Sequence, residues 1–95
     1  MHATVRNYSG KGSKELIDLL DKRKDEVKGL LTSIKGFVSY SLVRTGDGGF
    51  SVSVYQDKAG VDESIKRAKE WIVQNGSATG AGAPIVSEGS VILHA

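Results

Sequence analysis

The sequence predicts an α+β sandwich, one antiparallel four-stranded sheet with two helices packed on the same face. Three observations predict it. Strand-forming and helix-periodic segments follow one another as strand, helix, strand, strand, helix, strand. The middle two strands flank a turn containing Asp47-Gly48, the strongest hairpin signal in the chain. Each strand–helix–strand passage must cross over with the same hand, which sends both helices to one side of the sheet. The expected architecture is a ferredoxin-like βαββαβ sandwich, and 95 residues give a single domain, 1–95, with no room for a second core.

Strand one is expected over Ala3-Thr4-Val5-Arg6-Asn7-Tyr8, ending in the turn Ser9-Gly10-Lys11-Gly12. Ser13 then has the hydroxyl of an N-cap. Leu16, Leu20, Val27, Leu31 and Ile34 recur at helical spacing, so one continuous helix should run to Gly36, with the charges of Asp21 to Glu26 on its solvated surface. Phe37 to Arg44 and Phe50 to Tyr55 form the hairpin. From about Val61 the period returns to 3.6, with Val61, Ile65, Ala68 and Ile72 in one stripe, Trp71 beside it, and Gly76 as a left-handed C-terminal stop. Asn75 to Pro84 carries no large side chain and is expected to be a flexible connection. The last strand is expected over Val91-Ile92-Leu93-His94, with a start as early as Ile85 allowed.

Thirteen Lys and Arg against eleven Asp and Glu leave a net charge of +2, too little for a dedicated nucleic-acid binder. The absence of cysteine excludes disulfides, thiol catalysis and thiolate-bound metals. The N-terminus has no basic-then-apolar leader and no window approaches the roughly 20 apolar residues of a membrane span, so a cytoplasmic protein without membrane partners is expected. His2 and His94 would share one end of the sheet if strands one and four pair, but no third ligand joins them and no metal is expected. The run from Ser9 to Lys14 resembles a phosphate cradle yet lacks the Walker spacing. Alternation in strand two places Phe37 and Val43 on one side and Val38, Tyr40 and Leu42 on the other. The remaining hairpin residues are Ser39, Ser41, Ser51 and Ser53, where a solvated sheet face would carry Lys and Glu. A second subunit covering that face, and hence a homodimer, is expected.

The segment Gly36-Phe37-Val38-Ser39-Tyr40, the run Val54-Tyr55-Gln56-Asp57-Lys58-Ala59 and the helix Ala68-Lys69-Glu70-Trp71 resemble the antibiotic-biosynthesis-monooxygenase-like superfamily. The likeness spans nearly the whole chain and is weakest in the Gly- and Ala-rich connection. Lys66-Arg67-Ala68-Lys69-Glu70-Trp71 is also similar to the corresponding helix of small uncharacterised bacterial members. The resemblance implies a dimeric α/β barrel in which two sheets face one another with helices outside. It also implies a pocket for a small hydrophobic or aromatic molecule, with oxygenation that needs no cofactor as its sharpest form. Where quinol monooxygenases of this type hold substrate with Asn and Trp, this chain has Ser51 and Tyr55. Where the haem-degrading branch uses Asn, Trp and His, it has Asn7, Ser64 and Gln74. A catalytically inert dimer that carries a small ligand or serves a structural or stress-related role is the alternative.

Five residues are candidates for contacting a ligand. The Asn7 amide could meet a ligand between sheet and helices, or close a turn. Tyr40 and Tyr55 could stack on a ring and bond its edge, or pack in the dimer interface. Trp71 could roof a pocket or simply fill the core. Arg44 could clamp an acidic substrate or extend into solvent.

Overall fold

A computed structural model of the chain describes all 95 residues. Strand β1 (His2–Tyr8) is followed by helices α1 (Ser13–Lys22) and α2 (Lys24–Thr32), the hairpin β2 (Phe37–Arg44) and β3 (Gly49–Tyr55), helix α3 (Lys58–Asn75), a short 3-10 turn (Ser77–Thr79) and β4 (Ile85–Ser90). The sheet is antiparallel throughout, in the order β2-β3-β1-β4, with every helix on one face. This is the expected ferredoxin-like arrangement. Leu16, Ile17, Leu20, Val27, Leu31 and Val61 bury their side chains between helices and sheet. Each contributes roughly 1.5–3 kcal/mol of burial free energy.

Several local expectations change. The first helix is broken at Arg23 (φ −111°, ψ 28°) although no Gly or Pro stands there. The cause is tertiary: the Arg23 guanidinium donates to Glu26 and to Asn75 and lies 5.1 Å from the centre of the Trp71 ring, tying the break to α3. Gly12, at φ +82°, takes the N-cap position, and Ser13 is the first helical residue, buried and without a capping bond. A side chain at Gly12 would also collide with the backbone of Gly80 and Ala81. Helix α3 starts three residues before the expected Val61, because the Asp57 side chain accepts from the Gly60 amide. Gly76 has φ −108° and is not left-handed.

The connection after α3 is largely exposed but is anchored at Thr79 and Ala81. The Thr79 hydroxyl donates to the Gly76 carbonyl and accepts from the Ala81 amide, and Ala81 rests on the core. β4 occupies Ile85–Ser90 because β1 supplies partners only from Asn7, opposite Ile85, to His2, opposite Ser90. Beyond it only the Val91 amide is held, by the Met1 carbonyl, and Ile92 and Leu93 are exposed. His94 therefore lies past the strand, away from the pairing that would bring it beside His2.

A bulge between Phe37 and Ser39 corrects the face assignment of β2. The extra residue puts Phe37, Tyr40 and Leu42 on the helix side, and Ser39, Ser41 and Val43 on the open side. Cross-strand pairing sorts the rest. Ser51, Ser53 and Tyr55 face the helices with Thr4, Arg6 and Tyr8, while Phe50, Val52 and Val54 face away with Asn7, Val5 and Ala3. The open face thus carries Val5, Val43, Phe50, Val52, Val54 and Ile85 among Ala3, Asn7, Ser39, Ser41, Ser87 and Gly89. No charged residue is present on it. Every ionisable strand residue other than the tyrosines, namely His2, Arg6, Arg44 and Glu88, is on the side of the helices.

Candidate functional site

The sheet face beneath the helices is unusually polar at its centre. Thr4, Arg6, Ser51 and Ser53 are all buried there, in positions that alternation would ordinarily give to Val or Ile. Such a breach of the binary pattern is expected mainly where a site is being built. Arg6 is the extreme case. It is 7% exposed, its Nε and Nη2 both donate to the Tyr8 hydroxyl at 3.2 and 2.5 Å, and its guanidinium lies 5.7 Å from the centre of the Tyr8 ring. No carboxylate lies within ion-pair distance of it. The acid on the same sheet face, Glu88, is engaged by Lys58 at 3.3 Å and lies 3.7 Å from His2.

Arg6 borders two spaces. One is a crevice of about 10 Å³ bordered by Leu20, Val27, Leu31, Tyr40 and Trp71, room for no more than a single water. The other is a pocket of about 260 Å³. Its floor is Arg6 and Tyr8 of β1 with Val86 of β4, and its roof is Ile65, Ile72 and Val73 of α3. Ala81, Ala83 and Pro84 of the connection close one side, and Lys69 stands on the α3 side. Seven of its ten lining residues are hydrophobic and none is acidic. An apolar cavity of roughly 150 Å³ holds a benzene ring, so this pocket has the size for one ring and its substituents. Recesses of about 400 and 520 Å³ elsewhere are lined mainly by polar side chains of the surface.

The five sequence candidates are not gathered in one place. Asn7 is exposed on the open face, on the opposite side of the sheet from the space between sheet and helices. Tyr40 and Trp71 meet at the small crevice beside Arg6. Burial holds the Tyr40 hydroxyl above its ordinary pKa, with the Arg6 charge pulling the other way. Tyr55 is fully buried, its hydroxyl donating to the Leu31 carbonyl at 3.0 Å and its ring meeting Phe37 edge-on. Burial raises its pKa as well, and the neighbouring polar Ser64 side chain, whose own hydroxyl donates to the Val61 carbonyl, offsets part of that rise. Trp71 donates from its indole nitrogen to Glu26 at 2.9 Å; that bond, followed by those from Arg23, holds the Glu26 carboxyl below the usual range. Arg44 is bound to Asp18 and, at 3.0 Å, to Asp21, linking the hairpin to α1. Asn7, Ser64 and Gln74 do not converge, since Ser64 is buried under α3 and Gln74 is exposed on it.

Arg6 and Tyr8 are the residues that sequence reasoning passed over. Period-two spacing places them on one face, but the apolar Ala3 and Val5 on the other face look like the inward side, so the arginine reads as solvated.

No protein-family model and no curated protein sequence matches the chain. Solved structures do. A protein of unknown function from Nitrosomonas europaea superposes with a TM-score of 0.70 at 13% identity, covering 99% of this chain and 90% of the other. SnoaB, a cofactor-independent oxygenase from Streptomyces nogalater, superposes at 0.67 with 13% identity, over 98% and 94% of the two chains. A dimeric ferredoxin-like protein from an uncultured marine organism gives 0.61 at 11% identity, over 98% and 94%. The chain therefore shares with these proteins a ferredoxin-like α+β fold. At these identities the likeness concerns fold, and function must be argued from the site. No helix is long and apolar enough to cross a membrane.

Proposed function

We propose that the protein binds one small hydrophobic or aromatic molecule per subunit, in the pocket between α3 and the β1–β4 side of the sheet, and that it works as a homodimer. The observation that carries the reading is the 260 Å³ pocket, with an apolar roof and a floor formed by the Tyr8 ring and the buried Arg6. Flat ligands suit such a space, because Ile65, Ile72 and Val86 supply apolar area while Arg6 and Tyr8 fix orientation. Support for the dimer comes from the charge-free open face, on which Val5 and Val43 are each 37% exposed and Ile85 is 69% exposed. Two such faces packed about 10 Å apart would bury these side chains and close a barrel.

Turnover is a separate question. A substrate that ionises in a dry pocket can pass electrons to dioxygen without a metal or flavin, and one structural neighbour is a cofactor-independent oxygenase. Oxygenation by this chain would have to be supported from Arg6 and Tyr8, since Tyr55 has its hydroxyl committed to Leu31. Saturation-transfer NMR with one-ring aromatics tests binding, and an oxygen electrode with hydroquinones tests turnover. Binding without oxygen uptake favours an inert carrier. Failure of every ring compound to bind sinks the pocket reading.

A further inference from the structure

We infer that the ligand of this pocket is an anion, a small apolar carboxylic acid whose carboxylate pairs with Arg6. The inference rests on the ligand-binding reading above and narrows it to one charge class. A guanidinium has five N–H donors in a planar fork. In Arg6 the two observed bonds both end on one acceptor, the Tyr8 hydroxyl, and no carboxylate is within reach. The other three arginines behave in the opposite way. Arg23, Arg44 and Arg67 are more exposed, and each is bound to at least one carboxylate: Glu26, Asp18 with Asp21, and Glu63. The chain therefore pairs its arginines where water would solvate them and leaves unpaired the one that water scarcely reaches.

Burying a lone positive charge is costly, and a residue such as Met would fill the same space without that cost. A carboxylate entering the pocket supplies the missing counter-charge, and the fork of Arg6 can hold it through two parallel bonds. The surroundings agree. No acidic side chain lines the pocket to compete, Lys69 adds a second positive charge on the α3 side, and the remaining wall suits an apolar body. A neutral ligand would leave the Arg6 charge uncompensated, and a cation would be repelled by it.

The test is to titrate the full-length protein at pH 7 with benzoate and phenylacetate, and separately with benzyl alcohol and benzamide as neutral analogues. The NMR signals of the Arg6 Nη–H groups, which include the donors that Tyr8 leaves free, are followed in each titration. The acids should bind at least about tenfold more tightly than the neutral analogues and move the Arg6 signals. In Arg6→Met the preference should shrink to within about twofold while the melting temperature stays level or rises, which a merely structural arginine would not allow. Should Arg6→Met fail to fold, the wild-type signals decide, and Arg6 Nη–H groups unmoved by bound benzoate overturn the inference. Equal affinity for acids and neutral analogues also overturns it, yet leaves the aromatic pocket standing. Binding of neither set removes both.

Discussion

The two faces of the sheet have partly exchanged their ordinary compositions. The face under the helices, where a core is expected, buries Thr4, Arg6, Ser51 and Ser53, while the face without helices exposes Val5, Val43 and Ile85 beside half-buried Phe50 and Val52, with no charge. A monomer gains little from this arrangement, because apolar residues on an uncovered face forgo burial and polar residues on a covered one pay for desolvation. The exchange makes sense if the open face is the buried layer of an assembly and the polar face is the wall of a site. What looks like bad patterning in one chain becomes consistent patterning in a dimer that binds a ligand.

The most severe way to break the comparison is to put a charge in the middle of the open face. Val52→Glu lies between Val5 and Ser41. It should cost on the order of 3–5 kcal/mol of dimer stability by stranding an unpaired carboxylate, read by light scattering after size exclusion; an intact dimer would show that the face is not the interface. On the other face the expected sign is reversed. Arg6→Met removes a buried, unpaired charge and should stabilise the ligand-free protein by about 1–3 kcal/mol in urea unfolding. A loss of stability would mean that the Arg6–Tyr8 contact is a structural prop.

A smaller effect concerns acid. The indole of Trp71 and the guanidinium of Arg23 lower the Glu26 pKa. Its contribution to stability is therefore present above the ordinary carboxylate pKa of 4.5 and is lost as pH falls through the lowered value. Trp71→Phe should flatten this acid limb of the melting-temperature profile, and an unchanged limb would assign it elsewhere. The mirror case is alkaline. Burial raises Tyr40 and Tyr55, so the stability they protect is complete below pH 10.0 and falls as pH rises beyond it; Tyr40→Phe should blunt that fall. Least of all is expected from Arg44→Ala. Its pairs with Asp18 and Asp21 are solvent-exposed, and the melting temperature should stay within experimental error.

Much of the fold was legible because its signals are local and repeat one another. The Asp47-Gly48 turn between β-rich runs, and the 3.6-residue stripe from Val61 to Ile72, mark their elements without tertiary information. What was not legible depends on partners distant in sequence. The break at Arg23 is made by Trp71 and Asn75, and the end of β4 is set by where β1 runs out of residues at His2. The bulge beside Val38 moves Phe37 to the other face, and no Gly or Pro announces it. The site was the least legible part. Tyr40 and Trp71 do meet beneath the helices, yet Arg6, which joins their crevice to the larger pocket, carries a residue type that alternation assigns to solvent.

The central claim, that one face of this sheet meets another copy while the other holds a small acid, is tested most directly by a native mass spectrum of the protein purified without added ligand. The account predicts a dominant species at twice the chain mass, carrying up to one small molecule per subunit that is lost on Arg6→Met. A spectrum showing only monomer at micromolar concentration would contradict it.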